Sequence, residues 1–233
     1  MFFFPEHTFR FARGRRLRLA RALAVKSQKP LSSDSPTRVG RGVKRALDMI
    51  FAAAALVFLS PLLVTVAIAI KLDSRGPAIF RQRRTGCNGT QFVILKFRTM
   101  TVLEDGLTVT QACPGDPRVT RVGKWLRRSS IDELPQLFNV LKSDMSLVGP
   151  RPHALAHDLE YKAQIAKYDR RYQVKPGITG WAQVNGLRGE TRHLEQMAER
   201  IALDLWYINH WSLTLDIYIL LRTCFEVVRN KAY

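Results

Sequence analysis

Residues 49–70 read MIFAAAALVFLSPLLVTVAIAI, a run of 22 residues without a charged side chain. A straight α-helix of that length reaches about 33 Å, which is enough to span the ~30 Å hydrocarbon core of a bilayer. Ser60 and Pro61 lie at its centre, where a proline removes a backbone hydrogen bond and bends the helix axis. The segment therefore predicts a membrane helix with a bend in its middle.

Basic residues flank this segment on both sides. Four precede it and five follow it: Arg38, Arg41, Lys44, Arg45, Lys71, Arg75, Arg81, Arg83 and Arg84. Because positive residues favour the cytoplasmic side, a spanning helix would place one basic flank on the opposite face. A re-entrant helix that bends at Ser60-Pro61 satisfies both flanks, and the Ser60 hydroxyl can cover a carbonyl that the proline frees. The residues alone leave the spanning and the re-entrant helix equally open.

The chain is strongly and unevenly basic. Its 233 residues have a formal net charge of +18, and residues 1–45 hold twelve Lys/Arg against two acids. Such a surplus suits anionic lipid headgroups, nucleic acid or anionic small substrates. No RNP-like aromatic pattern or helix-turn-helix signature is present, so we do not expect a nucleic-acid partner. The three cysteines lack the spacing of a disulfide framework or a zinc site.

The sequence after the membrane segment predicts a mainly helical α+β domain. Residues 78–100 predict a β-hairpin, because two strand-like runs flank the turn TGCNGT. Turn residues predict an irregular loop at 101–120. Helices are predicted at 118–129, 132–142, 153–170 and 191–207. The apolar segment 211–230 is interrupted by Asp216, Arg222 and Glu226, so we expect it to pack on the domain or lie at the membrane interface.

Two adjacent carboxylates, Asp132 and Glu133, lie among arginines in LRRSSIDELPQLFNVLKSDMSLVGPRP, residues 126–152. Arg127 precedes them, and Arg151 follows between two prolines that fix the backbone around it. A carboxylate can attack phosphorus or hold a metal, while guanidinium groups bind phosphate oxygens and neutralise developing charge. This stretch predicts phosphoryl chemistry on an anionic substrate.

The same carboxylates have a structural alternative. Ser130-x-x-Glu133 matches a capping box, and acidic residues suit the first turn of a helix. With Asp132 as N-cap instead, Pro135 falls within the tolerated first turn. From the residues alone, helix capping is favoured over catalysis.

Five motifs occur in a fixed order along the chain. They are the apolar segment with Ser60-Pro61, KFRTM at 96–100, DPRVTRVGKWLRRSSIDELPQLFNVLKSDMSLVGPRP at 116–152, KPGITGWAQVNG at 175–186 and LDLWYINHWSLTLDIYIL at 203–220. Together they resemble the bacterial sugar transferases, the monotopic polyprenyl-phosphate phosphoglycosyl transferases. The resemblance covers about Lys44 to the C-terminus. Ser143 departs from it, since the family usually has glycine there.

The resemblance implies an architecture and a location. The composition of SQKPLSSDSPTRVG predicts a flexible basic tail at 1–43, with an amphipathic helix at the membrane surface as the alternative. After this tail, the resemblance implies a re-entrant membrane helix-hairpin at 44–75. Residues 76–233 would form a compact catalytic sugar transferase domain, with the small β-hairpin and interfacial amphipathic helices around it. Without the extra N-terminal membrane helices of many relatives, the chain is expected to correspond to the minimal catalytic form. We expect it on the cytoplasmic face of the bacterial inner membrane, attracted to anionic lipid headgroups.

The resemblance also implies a ping-pong reaction with named residues. Asp132 would attack the β-phosphate of a UDP-hexose and release UMP, and undecaprenyl phosphate would then accept the phosphosugar. Glu133 would help bind the cofactor Mg²⁺. Phosphate oxygens would be held by Arg127, Arg151, Lys96 and Arg98.

The sugar and the partners are less closely defined. PRPHALAH and GLRGET resemble the subgroup that transfers hexose 1-phosphate, especially glucose, to start exopolysaccharide or capsule synthesis. Galactose remains open, as does a homodimer. The alternative from another class is a non-catalytic, membrane-docked basic module that binds lipid or nucleic acid.

Overall fold

The computed structural model describes residues 38–101, 113, 115–189 and 193–229. These residues form a mainly helical α+β fold with one long apolar helix and two small sheets. The predicted basic tail falls mostly on residues 1–37, and the predicted loop at 101–120 falls mostly on 102–112. Both predictions therefore lie largely outside the described residues.

The apolar segment lies within helix α1, Arg38–Asp73, which runs continuously for 36 residues with Pro61 inside it. It is long and apolar enough to cross a membrane, and only 11% of its apolar window is buried. The carbonyl of Val57, four residues before Pro61, lacks the backbone donor that proline cannot supply. Ser60 Oγ donates to this carbonyl at 2.8 Å. The predicted role of the Ser60 hydroxyl is thereby confirmed.

The predicted hairpin is confirmed. Strand β1, Ile79–Thr85, pairs antiparallel with β2, Gln91–Phe97, across a short 3₁₀ turn at Cys87–Gly89. Buried side chains of β2 reach both halves of α1: Ile94 packs in a cluster with Ala52, and Phe97 in a cluster with Ile70. The hairpin is thus joined to the long helix by apolar packing.

The remaining elements are short. They are α2 Arg121–Ser129, a 3₁₀ turn Ile131–Glu133, α3 Gln136–Leu141, β3 Ser146–Val148, α4 Leu155–Gln164, a 3₁₀ helix Tyr168–Gln173, β4 Gly177–Thr179, α5 Trp181–Val184, α6 Leu194–Asn209 and α7 Leu213–Arg229. The prediction of one helix at 132–142 is wrong, because Asp132 and Glu133 belong to the 3₁₀ turn and α3 begins only after Pro135. The helix predicted at 153–170 ends at Gln164.

The second sheet brings two glycine-rich loops together. Strands β3 and β4 are parallel, and Val148 pairs with Thr179. A Cβ on Gly177 would lie 2.1 Å from the Gly149 nitrogen, so only glycine permits this approach. The loop that carries Arg151 is therefore built directly against the KPGITG segment.

Both halves of α1 are attached to the same domain. In the first half, Arg45 Nη1 donates to the Val140 carbonyl at 2.7 Å, and Asp48 accepts from Ser146 Oγ at 2.7 Å. At the other end, the Asp73 carboxylate accepts from the Val122 amide at 3.1 Å. Between these anchors Phe58 is 83% exposed. The middle of the helix thus projects an apolar surface, while its two ends are held by polar contacts.

Candidate active site

The two carboxylates lie on the 3₁₀ turn between α2 and α3. Ser130 ends α2 in the left-handed region, with a φ of 61°. Its carbonyl accepts from the Glu133 amide at 3.2 Å, which closes the turn. Asp132 and Glu133 are both half-buried. A tight turn rather than a regular helix therefore presents the pair.

Glu133 is bound by two cations from distant parts of the chain. Its Oε1 accepts from Lys96 Nζ at 2.9 Å and from Arg151 Nη2 at 2.5 Å. Its Oε2 accepts from Arg151 Nη1 at 3.1 Å, which completes a two-pronged arginine–carboxylate pair. Lys96 comes from β2, and Arg151 follows β3. We call Lys96, Asp132, Glu133 and Arg151 the carboxylate cluster.

The two neighbouring carboxylates differ in their electrostatics. Burial, followed by the negative charge of Glu133, raises the pKa of Asp132 to about 6, against the opposite effect of Lys96, Arg151 and Arg127. Burial acts in the same direction on Glu133, but Arg151 and Lys96 outweigh it and hold its pKa well below the usual range. Glu133 is therefore a fixed anion, whereas the pKa of Asp132 is about 6.

Arg98 is not brought to the carboxylate cluster. Its guanidinium donates to the carbonyls of Ser74 at 2.6 Å and Arg75 at 2.7 Å, and to Ser74 Oγ at 2.9 Å. These acceptors lie just beyond the end of α1, where carbonyl groups need donors. Arg98 thus secures the end of α1. Arg127, by contrast, lies near enough to lower the pKa of Asp132.

The predicted capping box is wrong. The Glu133 side chain binds Lys96 and Arg151, and the Ser130 amide bonds to the Arg127 carbonyl instead. Asp132 is not an N-cap either, because Pro135 occupies that position before α3. Lys96 and Arg151, which are distant in sequence, bind the Glu133 carboxylate that helix capping would have used.

Sequence reasoning did not single out Arg188. It lies in the loop after α5, and its Nη2 donates to Ser130 Oγ at 2.6 Å, two residues before Asp132. Arg200 on α6 supports that loop by donating to the Gly189 carbonyl at 2.9 Å. The motif GLRGET was visible, but nothing in the sequence connected it with a serine 58 residues earlier.

The carboxylate pair fits Mg²⁺ only in company with a phosphate substrate. Among the residues that the structure describes, no group of three or more His, Cys, Asp or Glu side chains could hold a metal. Mg²⁺ in phosphate-transfer sites is commonly held by one or two carboxylates together with substrate phosphates. Asp132 and Glu133 supply two carboxylates. Because both oxygens of Glu133 already accept from Lys96 or Arg151, a bound Mg²⁺ would share one of these oxygens with them.

Residues 39–230 match the family model described as "Bacterial sugar transferase". The matched region includes all of the carboxylate cluster and nearly all of the described fold. The chain belongs to the bacterial sugar transferase family.

Individual members of the family show which of its proteins the chain is similar to. The chain is 59% identical over 180 residues to a UDP-glucose:undecaprenyl-phosphate glucose-1-phosphate transferase of Caulobacter vibrioides, covering 77% of this chain and 67% of that protein. It is 52% identical over 203 residues to the transferase of the same name from Escherichia coli, covering 87% of this chain and 44% of that protein. It is 44% identical to the exopolysaccharide production protein PSS of Rhizobium leguminosarum, covering 82% of this chain and 98% of that protein. The chain thus spans about half the length of several curated relatives that it matches.

Proposed function

We propose that this protein is an enzyme, a phosphoglycosyl transferase that moves hexose 1-phosphate from a UDP-hexose to undecaprenyl phosphate and releases UMP. The observation that carries the proposal is the carboxylate cluster, in which Glu133 binds Lys96 and Arg151 beside Asp132. The names of the Caulobacter and Escherichia relatives make glucose the first sugar to test. The name of the Rhizobium relative supports a role in exopolysaccharide production.

In the first half-reaction Asp132 is the nucleophile. Its carboxylate oxygen forms a bond to the β-phosphorus of the UDP-sugar, and the bond from that phosphorus to the bridging oxygen breaks. UMP leaves with the bonding electron pair, and the phosphosugar remains on Asp132 as a reactive acyl phosphate. The raised pKa of Asp132 favours attack because a more basic oxygen is a better nucleophile. Above pH 6 most of this carboxylate is ionised and ready to react.

In the second half-reaction undecaprenyl phosphate is the acceptor. One of its phosphate oxygens attacks the same phosphorus, and the Asp132 carboxylate leaves, which regenerates the enzyme. Lys96, Arg127 and Arg151 bind phosphate oxygens in both steps and neutralise the charge that develops on them. The product is a lipid-linked diphosphate sugar.

Glu133, with Asp132, would hold Mg²⁺ together with the substrate phosphates. When bound, the ion screens the charge of the diphosphate. Lys96 and Arg151 keep Glu133 in the ionised form that a metal ligand needs.

We propose that α1 is re-entrant and that the domain lies on the cytoplasmic face of the inner membrane. Three observations support this topology: both halves of α1 contact one domain, the middle of the helix is exposed, and both flanks are basic. The exposed apolar residues Ile217, Leu221 and Phe225 of α7 suit a helix at the membrane interface. Such a position lets one site meet a water-soluble sugar nucleotide and a lipid-anchored acceptor.

The test is UMP release by the purified protein from a panel of UDP-sugars, with and without undecaprenyl phosphate. Asp132→Asn should lower turnover at least about 1,000-fold, as loss of a nucleophile does in other enzymes. The matched control is Glu160→Gln, an exposed acid on α4, which should keep full turnover. Substantial turnover by Asp132→Asn would rule out this nucleophile. No turnover with any UDP-sugar, together with salt-dependent lipid or RNA binding, would favour the non-catalytic module.

The topology is tested by labelling single cysteines placed at Arg41 and Arg75, both exposed, in a cysteine-free background. A membrane-impermeant thiol reagent should modify both positions from the same side of the membrane. Labelling from opposite sides would establish a spanning helix instead.

A further inference from the structure

A single guanidinium holds the backbone of the loop that carries Arg151. Arg171 lies in the 3₁₀ helix Tyr168–Gln173 and is 3% exposed. Its Nη2 donates to the Arg151 carbonyl and, at 3.1 Å, to Asp204 Oδ2. Its Nη1 donates to His153 Nδ1 at 2.6 Å. Arg171 therefore binds the loop on both sides of Pro152.

The neighbouring carbonyls of this loop are bonded as well. The Pro150 carbonyl accepts from the Gly177 amide at 2.9 Å, and the Pro152 carbonyl accepts from Arg84 Nη1 at 3.2 Å. Three successive carbonyls are thus held by β4, Arg171 and β1. Of these three donors, Arg171 is the one that binds the backbone of Arg151, whose guanidinium is proposed to bind phosphate.

The groups around Arg171 are placed to accept hydrogen bonds from a guanidinium. Because a guanidinium only donates, His153 must accept through Nδ1, and burial together with the Arg171 charge holds the His153 pKa well below its usual range. The Asp204 carboxylate forms an ion pair with the buried Arg171 guanidinium. On the other side of Arg171, Tyr168 Oη donates to Asp158 Oδ1 at 2.7 Å. We call His153, Asp158, Tyr168, Arg171 and Asp204 the arginine network. A lysine at position 171 could not reach these separated acceptors with one ammonium group.

We propose that Arg171 is a positioning residue for the transfer reaction. By fixing the backbone of Arg151, it sets the direction in which the Arg151 guanidinium meets Glu133 and the substrate phosphates. The inference rests on the proposed function, because it assigns the effect of Arg171 to phosphate binding by Arg151. Arg171 acts through Arg151 and does not touch the reacting atoms.

The experiment is a double-mutant cycle on single-turnover UMP release, with Arg171→Lys made in the parent protein and in Arg151→Ala. In the parent, kcat/KM should fall about tenfold to 100-fold, as expected for a misplaced phosphate ligand. In Arg151→Ala the further loss should be below about threefold, because the group that Arg171 positions is already gone. An equal fold-loss in both backgrounds would overturn the proposal. Arg170→Lys, at the exposed neighbouring residue, is the matched control and should keep parent kinetics.

A second variant covers the case in which Arg171→Lys does not fold. Asp204→Asn keeps an acceptor for Arg171 Nη2 but removes its charge partner. It should give a smaller loss with the same dependence on Arg151. A loss that is independent of Arg151 would again overturn the proposal.

A third readout needs no substrate. Backbone hydrogen exchange in the peptide covering 149–154 should be faster in a folded positioning variant, Arg171→Lys or Asp204→Asn, than in Arg170→Lys. Equal exchange would contradict the positioning role. A parent protein that releases no UMP contradicts the proposed function, whereas an active parent with an unimpaired Arg171→Lys contradicts only this inference.

Discussion

The carboxylate cluster and the arginine network use the same kinds of side chain in different settings. In the carboxylate cluster, the Arg151 and Lys96 side chains are 24% and 17% exposed, so a soluble ligand can reach them. In the arginine network, the Arg171 and Asp204 side chains are only 2% and 3% exposed. One group of charges is open to a substrate, whereas the other is closed within the domain.

The charge balance differs in the same way. Lys96, Arg127 and Arg151 influence two carboxylates, which leaves a positive surplus that suits an incoming phosphate. Arg171 lies 3.1 Å from Asp204 and 3.9 Å from Asp158, so its positive charge is balanced by carboxylates of the same network. The comparison agrees with the two proposed roles, in which Arg151 binds phosphate oxygens and Arg171 holds the Arg151 backbone.

The largest effect that would sharpen this comparison is expected from Arg151→Lys. Lysine keeps the charge but cannot form the two-pronged contact that Arg151 makes with Glu133, so kcat/KM should fall about tenfold to 100-fold. Steady-state UMP release measures this loss. Arg121→Lys, at an exposed arginine of α2, is the control that should stay within twofold. An Arg151→Lys enzyme with parent kinetics would show that the contact is dispensable.

The next effect is on the pH profile. Protonated Asp132 cannot attack, so kcat/KM should fall about tenfold per pH unit below about pH 6. The Glu133 charge raises the pKa of Asp132, so Glu133→Gln should move this acid limb to lower pH in whatever activity remains. The profile of UMP release from pH 5 to 8 measures both. A flat profile down to pH 5, or an acid limb that Glu133→Gln moves upward, would contradict the assigned electrostatics.

The smallest effect is expected at an ion pair outside both groups. Lys162 and Asp169 are 3.0 Å apart, with side chains 57% and 53% exposed, so water screens their attraction. Lys162→Met should therefore change the free energy of unfolding by less than about 1 kcal/mol. Denaturant unfolding of the detergent-solubilised protein measures the change. A loss of about 3 kcal/mol or more is typical of a broken buried pair. Such a loss would mean that exposure to water does not distinguish this ion pair from the buried pairs of the arginine network.

Local signals predicted much of the fold. The TGCNGT turn located the hairpin, and Ser60 next to Pro61 predicted the hydrogen bond that covers the freed carbonyl of Val57. Both features depend on residues that are close together in the chain. Short-range chemistry is sufficient to identify them.

Long-range contacts limited the prediction of the site. The capping box failed because Lys96 and Arg151, 37 and 18 residues away, donate to the Glu133 carboxylate in place of the local backbone. Arg98 lies in the same KFRTM motif as Lys96, but its guanidinium donates to carbonyls at the end of α1. Arg188 reaches Ser130 only through the packing of a loop. Such pairings follow from the fold and cannot be read from spacing along the chain.

The central claim is a transient bond between Asp132 and a sugar phosphate. The most direct measurement is mass spectrometry of the protein mixed with UDP-glucose and quenched before undecaprenyl phosphate is added. We expect a hexose-phosphate adduct on the peptide 129–142, which fragmentation assigns to Asp132 rather than Glu133, and which disappears when undecaprenyl phosphate is supplied. An adduct on another residue, or no adduct in a preparation that turns over, would contradict the account.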